Sequence, residues 1–198
     1  MITFNNLSKE TPYKIFKYKY DESLKACQKN IEAICISSYS NKLKEVNARF
    51  VNLKLIKNKE FIFFSNYNSV KAQDFSSHDQ ITALIYWHNI DVQIRMKANI
   101  KKTSPDFNNK YFAKRDNHKN ALAISSDQSK VISSYEDVEK KYLKSLKSNN
   151  LDQCPEHWGG FSFIPYYFEF WEGHKSRLNK REVYELKENR WINYTLQP

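Results

Sequence analysis

Val46-Asn47-Ala48-Arg49-Phe50-Val51-Asn52-Leu53-Lys54-Leu55-Ile56 alternates in the manner of a strand, and after Lys57-Asn58-Lys59-Glu60 the run Phe61-Ile62-Phe63-Phe64 follows. Period-two patterning sends successive side chains to opposite faces of a sheet, so the two runs predict a β-hairpin, although its turn lacks the usual Asn-Gly. Working outward, residues 31–37 alternate in the same way, with residues 21–30 a short helix ahead of them. Residues 1–20 are expected to be a loosely ordered N-terminal segment. Residues 69–75 make a short helix, and residues 81–87 and 92–100 two further strands joined by His88-Asn89-Ile90-Asp91.

The middle of the chain reads as helical. Ser104-Pro105 opens a helix to residue 113, with proline where an amide donor is dispensable. Ser133 or Ser134 caps another, with Glu136 and Asp137 in its first turn and Lys144 and Lys147 near its end, as the helix dipole favours. Tyr135, Val138, Tyr142 and Leu146 give that helix an apolar face. Strand character returns over residues 160–170, 183–186 and 191–196. The expectation is one α+β domain over residues 1–198 with a mainly antiparallel sheet, because strands and helices do not alternate as a doubly wound fold requires.

Composition narrows the function classes. Glycine occurs three times in 198 residues. All three lie beyond Trp158, so neither a Walker loop nor a dinucleotide-binding glycine fingerprint exists before that point. A phosphate bound by this chain is therefore held mostly by side chains. The net charge of +10 invites a nucleic-acid partner. Its distribution argues against one, since the longest basic runs are only two residues, as at Lys101-Lys102 and Lys140-Lys141, and acids stand among most other lysines. A cofactor-free, basic nucleic-acid-binding module is the reading this disfavours. No window approaches a membrane-spanning length, and no secretory signal is visible at Met1. Cys27, Cys35 and Cys154 form no C-x-x-C pair and read as reduced packing residues of a cytoplasmic protein. His78, His88, His118, His157 and His174 are scattered, so no metal site is expected.

The arginines and their surroundings carry the chemistry. Arg49 and Lys54 share a strand but, at odd spacing, fall on opposite faces if it is regular. Ser65-Asn66 ends a strand shortly before Lys71, which could present a hydroxyl and an ammonium to a phosphate. Tyr111 and Arg115 stand four apart, as on one helix face, and Arg177 and Arg181 repeat that spacing.

Arg49-Phe50-Val51-Asn52-Leu53-Lys54, Phe63-Phe64-Ser65-Asn66-Tyr67, Ser69-Val70-Lys71-Ala72, Val92-Gln93-Ile94, Tyr111-Phe112 with Arg115, and Ser126-Asp127-Gln128-Ser129 resemble, in order and spacing, the motifs of the pyridoxamine 5′-phosphate oxidase family. The most specific part is the closing run: His157-Trp158-Gly159-Gly160-Phe161, Glu169-Phe170-Trp171-Glu172-Gly173 and Arg177-Leu178-Asn179-Lys180-Arg181.

The resemblance implies a split β-barrel flanked by helices, working as a homodimer with FMN at the subunit interface. It implies FMN contacts at Arg49, Lys54, Phe64, Ser65, Lys71, Gln93, Gln128, Ser129, Trp171 and Arg181. It implies a clamp for a small phosphorylated substrate at Lys54, Tyr111, Arg115 and Lys119, with Arg177 and Asn179 as the catalytic pair beside the pyridine ring. The implied reaction is oxidation of pyridoxamine or pyridoxine 5′-phosphate to pyridoxal 5′-phosphate, with O2 reduced to H2O2. The chain departs from the family pattern at Val70, where a second basic residue is usual, at Lys119 in place of a serine, at Ile124 in place of a tryptophan, and at Asn179-Lys180 in place of His-Asp. Those departures frame the alternative: an FMN-binding relative with another substrate or without oxidase activity.

Overall fold

The hairpin is built from β3 (Glu45–Lys57) and β4 (Glu60–Asn66), paired antiparallel. Its turn forms without glycine because Asn58 takes a φ of 54°, a left-handed conformation that asparagine tolerates better than most residues. The computed structural model describes residues 1–147 and 150–198. Around the hairpin stand β1 (Thr3–Asn5), α1 (Thr11–Lys25), β2 (Ala33–Ser40), α2 (Val70–Ser77), β5 (Gln80–Trp87), β6 (Val92–Lys102), α3 (Pro105–Phe112), α4 (Asn117–Ser125), α5 (Tyr135–Leu146), β7 (Trp158–Glu172), β8 (Lys180–Lys187) and β9 (Arg190–Leu196).

Strand pairing closes a ring. β3 pairs β2, β2 pairs β5, β5 pairs β6, β6 pairs β7, β7 pairs β4 and β4 returns to β3, every pair antiparallel. β1 adds a short parallel pair outside the ring, beside β3. The long β7 splits the barrel: residues 158–163 pair with β4, and residues 167–172 pair instead with β8, which carries β9. Pro165 falls between the two partners, where a residue without an N–H is tolerated.

The barrel is filled by inward residues of alternating strands, among them Ile34, Ile36, Leu53, Phe63, Ile94, Met96 and Phe163, all fully buried. Helix α1 covers one part of this core. Phe16 meets Phe61 edge-on at 5.1 Å between ring centroids, and Tyr13 meets Phe168 at 5.2 Å. Each aromatic of this size buries a large apolar area, which is where the stability of such a helix comes from.

The N-terminal expectation is therefore corrected. Residues 11–20 belong to a packed helix, and the helix ends at Lys25 rather than continuing to residue 30. The pattern was present as Tyr13, Phe16 and Tyr20 at i, i+3 and i+7, all buried, with lysines between them. Cys27 and Asn30, at φ 56° and 50°, turn the chain into β2. Cys27 is exposed and is not a core thiol. Helix α4 was not foreseen; its signal is Asp116, whose side chain accepts from the His118 and Lys119 amides. Ser134, not Ser133, caps α5 by accepting from the Asp137 amide. Helix α5 lies against α4, yet none of its residues is buried, and Tyr135 of its apolar face is exposed.

Candidate functional site

A cavity of about 510 Å³ is lined by Arg49 and Lys54 of β3, Phe64 and Ser65 of β4, Val70 and Lys71 of α2, Tyr111 and Arg115, and Gln128 and Ser129. That size suits a cofactor or small substrate. Regular alternation would have separated Arg49 from Lys54. Between Leu53 and Leu55 the pairing with β4 slips by one residue, so Lys54 is the extra residue of a bulge. Bulges re-aim side chains in this way, and both cations reach the same cavity.

One corner gathers two cations. Arg49 Nη1 donates to the Ile36 carbonyl at 3.2 Å and to Ser38 Oγ at 2.7 Å. Ser38 Oγ donates in turn to Asp74 Oδ2 at 2.7 Å, and Arg49 Nη2 lies 3.8 Å from the same carboxylate oxygen. Lys71 is buried, with its Nζ 3.2 Å from Ser69 Oγ. Burial, and then the neighbouring Arg49 charge, push the Lys71 ammonium down to about 8. Burial also lowers Arg49, against the pull of Asp74. Ser69 Oγ donates to the Asn66 carbonyl and accepts from none of the α2 amides, which leaves the positive end of that helix available to an anion.

A second corner lies across the cavity. α3 ends at Phe112, so Arg115 sits in the turn beyond it rather than on the helix face the spacing suggested, yet it and Tyr111 line the same cavity. Arg115 Nη1 donates to the Lys119 carbonyl at 2.7 Å and to Asn120 Oδ1 at 3.2 Å. Its guanidinium lies 5.0 Å from the Trp158 ring centroid, a cation–π contact. Phe64 stacks on Tyr111 at 3.7 Å and on Trp158 at 5.0 Å, forming an aromatic wall. Burial lowers Arg115 and raises Tyr111. Among the described residues, no carboxylate comes within ion-pair distance of Lys71 or Arg115. Lys119 lines an adjoining cavity of about 210 Å³ that shares Phe64, Ser65, Arg115 and Gln128.

The other expected residues lie elsewhere on the same chain. Gln93, Trp171 and Arg181 are directly paired across β6, β7 and β8. Arg177 and Asn179 stand in the segment between β7 and β8, so Arg177 and Arg181 do not share a helix. Arg177 is exposed at φ 58°, and Asn179 Oδ1 accepts from the His174 amide at 3.0 Å. None of these five lines either cavity. Arg181 is held by the buried Glu169, with Nε 2.9 Å from Oε1, and its Nη1 donates to the Gln197 carbonyl at 3.0 Å. Burial pulls the Glu169 carboxyl upward, but hydrogen bonds from Arg95, Arg181 and Tyr167 outweigh it and hold the group low.

Sequence reasoning missed Ser38, Asp74 and Glu169. Only strand register could have flagged one of them, since Arg95 faces Glu169 directly across β6 and β7. Among the described residues, no three His, Cys, Asp or Glu side chains could hold a metal, and no helix is long and apolar enough to cross a membrane.

A closed six-strand barrel, split along β7 and carrying a cation-lined cavity on its wall, is the architecture of the pyridoxamine 5′-phosphate oxidase-like split barrels. PhzG from Burkholderia lata, solved with tetrahydrophenazine-1-carboxylic acid, superposes with a TM-score of 0.87 over 94% of this chain and 92% of its own, at 22% identity. A pyridoxamine 5′-phosphate oxidase-related, FMN-binding protein from Nostoc punctiforme superposes at 0.78 over 96% of this chain and 99% of its own, at 9% identity. Residues 158–198 match the pyridoxine 5′-phosphate oxidase C-terminal dimerisation region. Along the sequence, the pyridoxine/pyridoxamine 5′-phosphate oxidase of Cytophaga hutchinsonii is 33% identical, covering 95% of this chain and 89% of the relative. That of Aliarcobacter butzleri is also 33% identical, over 91% and 85%. The chain belongs to the pyridoxine/pyridoxamine 5′-phosphate oxidase family.

Proposed function

We propose that the chain is an FMN-dependent oxidase that converts pyridoxamine or pyridoxine 5′-phosphate to pyridoxal 5′-phosphate in the cytoplasm, as a homodimer. The observation that carries this reading is that four cations, Arg49, Lys54, Lys71 and Arg115, line one cavity, with Arg49 and Lys71 close enough to repel each other. A buried ammonium beside a guanidinium, with a serine hydroxyl as its hydrogen-bond partner, is unfavourable until an anion joins it. The donor set therefore fits the FMN phosphate, with Ser65 as a further donor. Lys54, Tyr111 and Arg115 of the same cavity, with Lys119 of the adjoining one, fit the phosphate of the substrate.

Bound FMN would supply the two-electron acceptor for a hydride from the substrate 4′ carbon, with dioxygen as the final oxidant and hydrogen peroxide as its product. The chain's own part is positioning. The wall of Phe64, Tyr111 and Trp158 limits where a flat ligand can lie, and Arg115, fixed by Trp158 and the Lys119 carbonyl, orients one phosphate relative to the other. Gln93, Trp171, Arg177, Asn179 and Arg181 lie outside the cavity of their own chain. The match of residues 158–198, which hold the last four, to a dimerisation region supports their entering the cavity of a second copy, and Gln93 is paired with Trp171. The test is peroxide release by purified protein given pyridoxamine 5′-phosphate and FMN; stoichiometric flavin with no peroxide would overturn the reading.

A second reading, an FMN-binding relative with another substrate, is favoured by Asn179. Its side-chain oxygen is occupied by the His174 amide, and an amide cannot titrate as an imidazole does. Under that reading Asn179→His leaves turnover of pyridoxamine 5′-phosphate unimproved; under the first it raises it.

A further inference from the structure

We propose that Ser38 and Asp74 are positioning residues that aim the Arg49 guanidinium at the flavin phosphate. The proposal rests on the FMN reading above. Arg49 is a long, flexible side chain, and a guanidinium recognises phosphate only when its fork is presented in the right plane. Here the fork is held from two directions. Strand β2 lies beside β3 with Ile36 directly opposite Arg49, and it supplies the Ile36 carbonyl and, two residues on, Ser38 Oγ as acceptors. Helix α2 supplies Asp74, which accepts a hydrogen bond from Ser38 Oγ and stands near Nη2.

Ser38 and Asp74 are 2% and 3% exposed. A buried polar pair of this kind is fixed in geometry, because any departure leaves a desolvated group without a partner. The charges sharpen the argument. Asp74 is negative and sits near an anion site, so its Coulomb effect on a phosphate is unfavourable. Its contribution to phosphate binding must therefore be geometric. Asp74 lies one turn beyond Lys71 on the same helix, so α2 sets both cations of the corner, one directly and one through Ser38.

Titrations of the full-length protein with FMN and with riboflavin, which lacks the phosphate, test this by quenching of flavin fluorescence. Ser38→Ala and Asp74→Ala should each lower FMN affinity about tenfold and leave riboflavin affinity unchanged. Asp74→Asn should keep the wild-type preference for FMN or raise it, since an amide oxygen still accepts from Ser38. Equal losses of both ligands, or an unchanged preference in Ser38→Ala, overturn the positioning role and leave the flavin reading standing. If Asp74→Ala does not fold, Ser38→Ala, which removes a single oxygen, decides. Wild-type protein that binds neither flavin overturns the FMN reading and this proposal together.

Discussion

Lys71 makes the phosphate corner sensitive to pH. In the empty protein its ammonium titrates near 8, lowered from 10.5 by burial and by Arg49. A bound phosphate dianion favours the charged form, so below about pH 8 the site is ready to accept it. As pH rises through 8 and beyond, binding must take up a proton, and FMN affinity is expected to fall by up to about tenfold per pH unit. For the flavin-free fold the sign reverses: the unfolded chain holds the Lys71 proton up to 10.5 while the native one has begun to lose it near 8, so this group's contribution to stability rises between those values. FMN titrations between pH 6.5 and 9.5 check the first effect, and Lys71→Met should flatten the decline. At this scale the resemblance named the ends of the chemistry, Arg49 and Lys71. What lies behind Arg49 was not legible, because Ser38 and Asp74 look like ordinary polar residues until β2 and α2 are brought together.

At the scale of elements, the opening of β7 fixes the aromatic wall. Gly159 and Gly160 pair opposite Ser65 and Phe64 of β4. A Cβ on Gly159 would fall onto the Tyr67 hydroxyl and the Asn108 side-chain nitrogen. Those two groups hydrogen-bond each other at 2.9 Å, and Tyr67 also donates to the Gly160 carbonyl at 3.1 Å. Gly159→Ala is therefore expected to destabilise by about 1–3 kcal/mol, read as a lowered Tm in thermal unfolding of the flavin-free protein. Elements with clear periodicity were legible, including the β3–β4 hairpin, β5, β6 and α5. Three elements were not. β1 is too short to show a pattern, α4 carries its main signal in the Asp116 cap, and the i, i+3, i+7 aromatics of α1 stand in a stretch rich in lysine. The bulge at Lys54 was invisible for a physical reason: it depends on the pairing of β3 with β4, and sequence alternation assumes no slip.

At the scale of the whole molecule, the cavity lined by Arg49, Lys71 and Arg115 and the group Gln93, Trp171, Arg177, Asn179 and Arg181 stand apart in one chain. If a second copy brings them together, each dimer has two sites, and each site draws on both chains. Two inactive variants then complement each other. Lys71→Met, defective in the cavity half, mixed with Trp171→Ala, defective in the strand half, should recover about a quarter of wild-type activity after subunit exchange, because half the dimers are mixed and each has one intact site. No recovery in a mixture shown to exchange subunits would mean that each site is built within a single chain. Four of the six arginines follow this division in the sequence: Arg49 and Arg115 line the cavity, whereas Arg177 and Arg181 stand outside it.

The central claim is that this cavity binds a flavin that a pyridoxamine or pyridoxine 5′-phosphate can reduce. The visible spectrum of the FMN-loaded protein, recorded without oxygen before and after adding pyridoxamine 5′-phosphate, tests it most directly. The expected result is a yellow protein whose flavin absorbance bleaches on addition of substrate and returns when air is admitted, with hydrogen peroxide formed. A colourless protein that takes up no FMN, or a yellow one whose spectrum the substrate leaves unchanged, would contradict it.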